Sequence, residues 1–408
     1  MNQLPNYSAT PKGVFAAKSA FRVLFAFVWM QNTVMPFVTS FCSSVLMMGE
    51  VTTYILPVLT WILFLLSASY VIGCLRWVDI LFPWGMIIMI LLSLLFYPQN
   101  AEYIQPDLLK ILAVALPMYI IGVCYDHEQL EKDIFWYSVA SLLVMYIWQL
   151  IQLNRNVEIT KDNMDASYNI LPSILYLCYW AFKEKKKWLW IWPIFGVYML
   201  LSYGSRGPIM VWIVYFAILS FIYIILKQKG AFRLWGTVVL VAIVITLLST
   251  NVMTNFAMYL QERFSEIGLS TRIFDYFIEG DIADDNGRKL LADAAKQCIA
   301  DNPILGTGFY GDRVAIDMGP GGYAHNLALE LWCHFGVFIG TLFLILILST
   351  TFGAVGKMNT EAQRNFLLLL ICLVFVKLMV SYTYTKEPYF YFLLGVAASG
   401  HRKKGRRL

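Results

Sequence analysis

Apolar residues along this chain gather in blocks of about 18–22, each closed by charges or by a Pro/Asn cluster, and do not alternate with polar ones. Blocks of that length match the hydrocarbon thickness of a bilayer when wound as helices. The pattern predicts about twelve such helices, near residues 23–43, 52–73, 80–97, 109–125, 134–153, 168–182, 188–203, 208–226, 234–252, 329–352, 365–382 and 388–399. The fold class expected is an all-α polytopic membrane protein.

Charge placement orients that bundle. With the N-terminus inside, the inner segments carry Lys12, Lys18 and Arg22, then Arg76, Lys132, Lys183, Lys185, Lys186 and Lys187. Lys227, Lys229, Arg233, Lys357, Arg364 and the tail "HRKKGRRL" follow on the same side. The short outer loops hold only Lys110, Arg155, Lys161, Arg206 and Lys386. Positive residues on the inner side are the usual bias, so both termini are expected in the cytoplasm. The N-terminal stretch lacks the pattern of a cleaved signal peptide.

One connection breaks the run of short loops. From Met253 to Leu327 the chain is polar enough to lie outside the membrane, on the outer face, and connections of that length are commonly functional. The expected organisation is residues 1–252 as helices one to nine, 253–328 as the outer loop, and 329–408 as helices ten to twelve with a basic tail. In "NGRKLLADAAKQCIADNPILGTG", Leu290, Leu291, Ala294, Ala295, Cys298 and Ile299 fall on one helical face. Asp285 or Asn286 can cap its start, and Asn302-Pro303 with two glycines stops it. A second amphipathic stretch, "NFAMYLQERFSEIG", opens the loop.

Composition agrees with the pattern. The chain has 408 residues, 59% hydrophobic and only 14% charged, so its net charge of +5 matters less than its uneven distribution. Seven cysteines, mostly inside apolar blocks, make neither a disulfide framework nor a metal-ligand spacing. No metal, cofactor or nucleic-acid partner is expected. No internal repeat supports an inverted-repeat transporter.

Four places carry candidate chemistry. In "GSRGP", Arg206 sits where one block ends and the next begins; Pro208 suits the first turn of a helix. A guanidinium beside a helix N-terminus suits a phosphate, although an arginine that merely snorkels to the interface fits equally well. In "PGGYAHNLALELWCHFGVFIG", His325 and Asn326 stand where the long loop meets the next block. His325 could act as a general base or simply cap that helix. His334 lies nine residues on, on the opposite helical face, and is not expected to act with it. Glu330 and Lys377, both inside apolar blocks, are expected to pair with each other. Among the loop arginines, Arg288 falls in the first turn of the loop helix and can clasp phosphate oxygens; Arg263 and Arg313 read as solvated, and Arg272 completes the group.

"GSRGP", then "GRKLLADAAKQCIADNPILGTGFYG", then "YAHNLALELWCHFGVFIG" resemble the O-antigen ligase / O-antigen and capsular polysaccharide polymerase superfamily, over residues 196–345. The resemblance implies a GT-C-like bacterial inner-membrane glycosyltransferase acting at the periplasmic face on glycans linked to undecaprenyl diphosphate. It matches Arg206, Arg288 and His325 to that superfamily's functional arginines and histidine. His334 departs from it, standing where many members have an acidic residue.

On that basis His325 and Arg288 are the expected catalytic residues, with Arg206, Ser205, Asn326 and Arg272 binding substrate. No Asp-x-Asp motif for a metal–nucleotide sugar is placed on the outer face; "DIADD", Asp281 to Asp285, reads as solvated loop. The expected reaction is metal-independent, inverting transfer. Its form here is closer to a polymerase of O-antigen, capsule or exopolysaccharide repeat units, with a chain-length regulator as a further partner. The alternatives are an O-antigen ligase acting on lipid A-core and, from another class, a flippase or exporter of the same lipid-linked sugars. A flippase would need charges lining a path, and few stand within the apolar blocks.

Overall fold

The computed structural model describes residues 11–45, 52–154, 163–226, 250–279, 288–317 and 322–400, and is helical throughout with no strand among them. The helices are α1 (Pro11–Val45), α2 (Thr52–Leu66), α3 (Ala68–Cys74), α4 (Trp77–Phe96), α5 (Ala101–Lys110) and α6 (Leu116–Cys124). They continue as α7 (His127–Asn154), α8 (Asn163–Glu184), α9 (Ile191–Ser202), α10 (Arg206–Ser220), α11 (Thr250–Glu266) and α12 (Arg272–Glu279). The last five are α13 (Arg288–Asp301), α14 (Gly311–Ile316), α15 (Leu327–Val355), α16 (Glu361–Val380) and α17 (Pro388–Gly400).

Six stretches are long and apolar enough to cross a bilayer: Trp77–Phe96, Pro98–Cys124, Leu130–Gln152, Arg206–Tyr223, Leu327–Val355 and Glu361–Val380. The protein is a multi-pass membrane protein. Of the twelve expected spans, the one near 234–252 lies almost wholly outside the described residues, and several others are shorter helices; the first is the long α1. Helix α11 begins at Thr250 and so runs across the expected boundary at residue 252.

Apolar faces point both ways, as lipid solvation requires. On α4, Trp77, Leu81, Trp84, Ile88 and Leu95 are exposed, while Met86 and Ile90 join the core. The tightest helix pair is α6 with α17. A Cβ added at Gly395 would stand 2.1 Å from the Tyr119 carbonyl oxygen, so only glycine allows that backbone approach.

The two ends of the bundle differ in character. At one, Arg22 pairs with Asp133, and Lys183 with Glu131 at 2.6 Å. At the other lie the starts of α8, α10 and α15, together with the segment from α11 to α14. Helix α13 covers Arg288–Asp301 and buries Ala295 and Cys298, as the apolar face predicts, although Leu290 is exposed. Its capping residues and the acidic run Asp281 to Asp285 lie outside the described residues.

The "NPILGTG" turn is explained by a break in α15. Gly336 adopts φ 74° and ψ 171°, which interrupts the helical ladder and frees carbonyls. The turn fills that gap: Thr307 N donates to Cys333 O at 2.8 Å, Gly308 N to His334 O at 3.0 Å, and Val337 N to Pro303 O at 2.8 Å. A Cβ at Gly336 would lie 2.2 Å from the Ile304 carbonyl, so no side chain is tolerated there. On its far side, Asn100 Nδ2 donates to Thr307 O at 2.9 Å and Phe309 O at 3.0 Å. Irregular backbone is thus hydrogen-bonded to both neighbours where it packs among helices.

Candidate functional site

The site grows from three helix starts. Ser205, in extended conformation, precedes α10, which begins at Arg206 with Pro208 in its first turn. Arg206 is half-buried at that N-terminus, where free N–H groups also favour an anion. Just before it, Gly204 packs so closely on Ser270 that an added Cβ would lie 2.5 Å from its hydroxyl and 3.5 Å from Arg272 Cβ. The elbow between α11 and α12 therefore docks on the "GSRGP" turn and brings Arg272, the exposed first residue of α12, beside it.

Tyr168, near the start of α8, links this corner to the others. Its hydroxyl presses on Gly207, where a Cβ would stand only 2.1 Å away. Lys377 Nζ lies 4.9 Å from its ring centre, and Arg288, Ser381 and Glu387 are within electrostatic reach of its hydroxyl. Ser381 in turn accepts, through its backbone carbonyl, a 3.1 Å hydrogen bond from the Tyr323 hydroxyl. Tyr323 stacks on His325 with ring centres 3.8 Å apart. The turn that carries Arg206 and the stacked His325, far apart in sequence, thus pack on Tyr168 and Tyr323 respectively, with Arg288 within electrostatic reach of the first.

His325 itself is half-buried with φ 49°, a left-handed conformation that costs a non-glycine residue energy and must be held by its surroundings. It is not the helix cap. Asn326 is: its Oδ1 accepts from Ala328 N at 3.0 Å and Leu329 N at 3.2 Å. The side-chain oxygen of Asn326, expected to contact substrate, is committed to that cap.

What holds His325 is a buried polar network that the sequence did not disclose. Asp312, Arg313, Glu330 and His334 are each at most 2% exposed. Asp312 Oδ1 is 2.8 Å from His334 Nε2 and 3.2 Å from Arg313 Nη1, while its Oδ2 accepts from Ala324 N at 3.3 Å. His334 Nδ1 lies 2.8 Å from the Tyr384 hydroxyl. Glu330 accepts from the Thr383 hydroxyl and from Tyr384 N at 3.3 Å. The Arg313 guanidinium stacks 3.8 Å over Tyr310 and 5.2 Å from Tyr323. The residues flanking His325 on its N-terminal side, Tyr323 and Ala324, are therefore gripped by Arg313 and Asp312. Burial pushes the Asp312 carboxyl up, but the His334 imidazole and the Arg313 guanidinium outweigh it and bring it to about 2.

Two expectations are corrected here. Arg313 is not solvated; it is the buried counter-charge of Asp312. Glu330 and Lys377 do not pair: Lys377 bonds Glu387, and Glu330 takes its hydrogen bonds from the Thr383–Tyr384 turn. His334, not expected to act with His325, reaches its segment through Asp312. The signal that could have exposed the network was a histidine four residues after a glutamate inside an apolar block, a pair that lipid burial would forbid without partners.

Asp312, Glu330 and His334 place one ligand atom each within 4.8 Å of one another, a spacing that could hold a cation. Arg313 argues for a different use. Its guanidinium sits on the same Asp312 oxygen that His334 reaches, so the chain itself supplies the balancing positive charge.

A family model described as O-antigen ligase matches residues 191–345, a stretch that runs from α9 through the break in α15 and contains Arg206, Arg288, Asp312 and His325. No curated protein and no solved structure matches the chain. The likeness to the O-antigen ligase and polymerase superfamily thus rests on a family match over residues 191–345 as well as on motifs.

Proposed function

We propose that this protein is a membrane glycosyltransferase that polymerises undecaprenyl-diphosphate-linked repeat units of O-antigen, capsule or exopolysaccharide at the outer face of the bacterial cytoplasmic membrane. The observation that supports this reading is that the turn carrying Arg206 packs on Tyr168 while His325 packs on Tyr323, with Ser381 within reach of both tyrosine hydroxyls and Arg288 within electrostatic reach of Tyr168.

In this reaction an acceptor hydroxyl attacks the anomeric carbon of the donor glycan as the bond to the diphosphate breaks. Three demands follow: charge on the departing diphosphate, a proton to be removed, and alignment of both reactants. Arg206, with the α10 N-terminus behind it, and Arg288 take the diphosphate. Arg272 and Ser205 border the same corner and contact the donor. His325 accepts the hydroxyl proton. Displacement in one step inverts the anomeric centre, and the arginines do the electrostatic work for which other transferases use a metal ion. Asp312, Arg313 and His334 do not meet substrate; they fix the backbone that carries His325.

Purified protein supplied with a synthetic lipid-linked repeat unit should yield longer lipid-linked glycan and free polyprenyl diphosphate. Absence of product, with transbilayer movement of the same lipid, would establish an exporter instead. In that assay Arg206→Lys is expected to lose roughly a hundredfold or more in rate, because lysine cannot make the paired contact to phosphate; a snorkelling anchor would show no change. EDTA is expected to leave the wild-type rate unaltered, and a collapse restored by a divalent cation would overturn the metal-independent mechanism.

The description of the matching family favours a second reading, an O-antigen ligase that passes the finished glycan to lipid A-core. Offering both acceptors in one assay separates the two by which becomes glycosylated.

A further inference from the structure

Helix α13 meets α15 and the loop between them through a small buried cluster of Ala295, Cys298, Ile316, Ala324 and Cys333. Cys298 and Cys333 are free thiols in the structure, 5% and 0% exposed, and nothing in the proposed transfer uses them. Both converge on Thr307. Cys298 Sγ lies 3.8 Å from the Thr307 hydroxyl, which donates to Cys333 O at 2.9 Å. Cys333 Sγ points back at α13, 3.5 Å from Ala295 O, which is one turn before Cys298 on the same face. The two side chains thus face each other within one small buried cluster.

We propose that Cys298 and Cys333 form a disulfide that clamps α13 to α15. The proposal rests on the reading that this end of the bundle faces the exterior, where the compartment is oxidising. The Cys298 thiolate attacks the disulfide of an oxidising thiol–disulfide partner and expels one of its sulfurs. The Cys333 thiolate then attacks Cys298 Sγ in the mixed disulfide and releases the partner as a dithiol. Two protein thiols have then lost two electrons and two protons, and the partner's disulfide has gained both.

Cys298 is suited to the first step. The neighbouring Cys333 thiol lowers its pKa, burial opposes this, and the Thr307 hydroxyl adds to the lowering, leaving it at about 7. The ring closed by the bond would contain the "NPILGTG" turn, Asp312 and His325, and it would fix the helix that starts at Arg288 against the one that starts after His325.

Membranes denatured in N-ethylmaleimide before any reduction, then digested and analysed by mass spectrometry, are expected to give a Cys298–Cys333 cross-linked peptide. It should vanish after reduction and in Cys298→Ser and Cys333→Ser alike. Reduced purified protein titrated with oxidised glutathione is expected to form the same link. Two thiols that stay alkylatable in both settings overturn the proposal. Orientation is read separately, from Lys296→Cys in a background lacking both cysteines, labelled in intact cells by an impermeant maleimide. Labelling only after permeabilisation, with the link forming in glutathione, overturns the outward-facing reading and leaves the pairing supported.

Discussion

His325→Ala is expected to abolish glycan transfer while the protein remains folded and membrane-inserted. Loss of a general base from a positioned site costs typically ~10²–10⁴ in rate. The structure gives a reason to expect folding to survive. His325 is half-buried, and the helix behind it is capped by Asn326, whose two hydrogen bonds are untouched by the change. Alanine, however, lacks the contact with Tyr323 and meets the same left-handed backbone. His325→Asn separates these effects, because asparagine tolerates that conformation and cannot take the proton. Both variants should bind lipid-linked donor as wild type does and form no product. Near-normal glycan lengths from His325→Asn would remove the histidine from the mechanism.

Asp312→Ala is expected to have the largest effect on stability. It strands the Arg313 guanidinium in the interior, takes the partner from His334 Nε2, and releases Ala324 N. Removing one partner from a buried ion pair costs about 3–5 kcal/mol. Thermal unfolding in detergent should show a markedly lower midpoint, and the combined Asp312→Asn, Arg313→Met variant should recover part of it. A variant that melts like wild type would show that the network holds nothing. The pH dependence has a defined sign. Because the folded carboxyl sits at about 2, below the ~3.9 of an unfolded aspartate, its contribution is complete above about pH 4 and is lost as pH falls toward 2. Mild acidification to pH 5 should leave this contribution intact.

The elements legible in the sequence were those with a local cause. Block length announced the membrane helices, and Pro208 marked the start of α10 and so the place of Arg206. The amphipathic period gave α13, and with it Arg288 at its first position. What stayed hidden depends on contacts between residues far apart. Asp312 and His334 are 22 positions apart, His334 and Tyr384 are 50 apart, and no period connects them. Glu330 and Lys377 looked like natural partners because both are charges in apolar blocks. The turn before α17 instead supplies each with a nearer group. Arg313 was misread because a six-residue helix in a polar segment carries no amphipathic signal to reveal its burial. The Gly336 break was invisible for the converse reason, lying inside a block whose apolar residues read as one continuous helix.

That break has a consequence for where a long-tailed lipid must stop. Past Gly336, Val337–Val355 is roughly nineteen residues and about 28 Å long, which by itself spans the oily interior of a bilayer. The short arm before it, with the threaded turn bonded across the gap, then lies beyond that span. On the proposed function, a carrier keeps its whole tail dissolved in the leaflet while its sugar is presented at the level of that arm, so the substrate is never lifted out of the membrane.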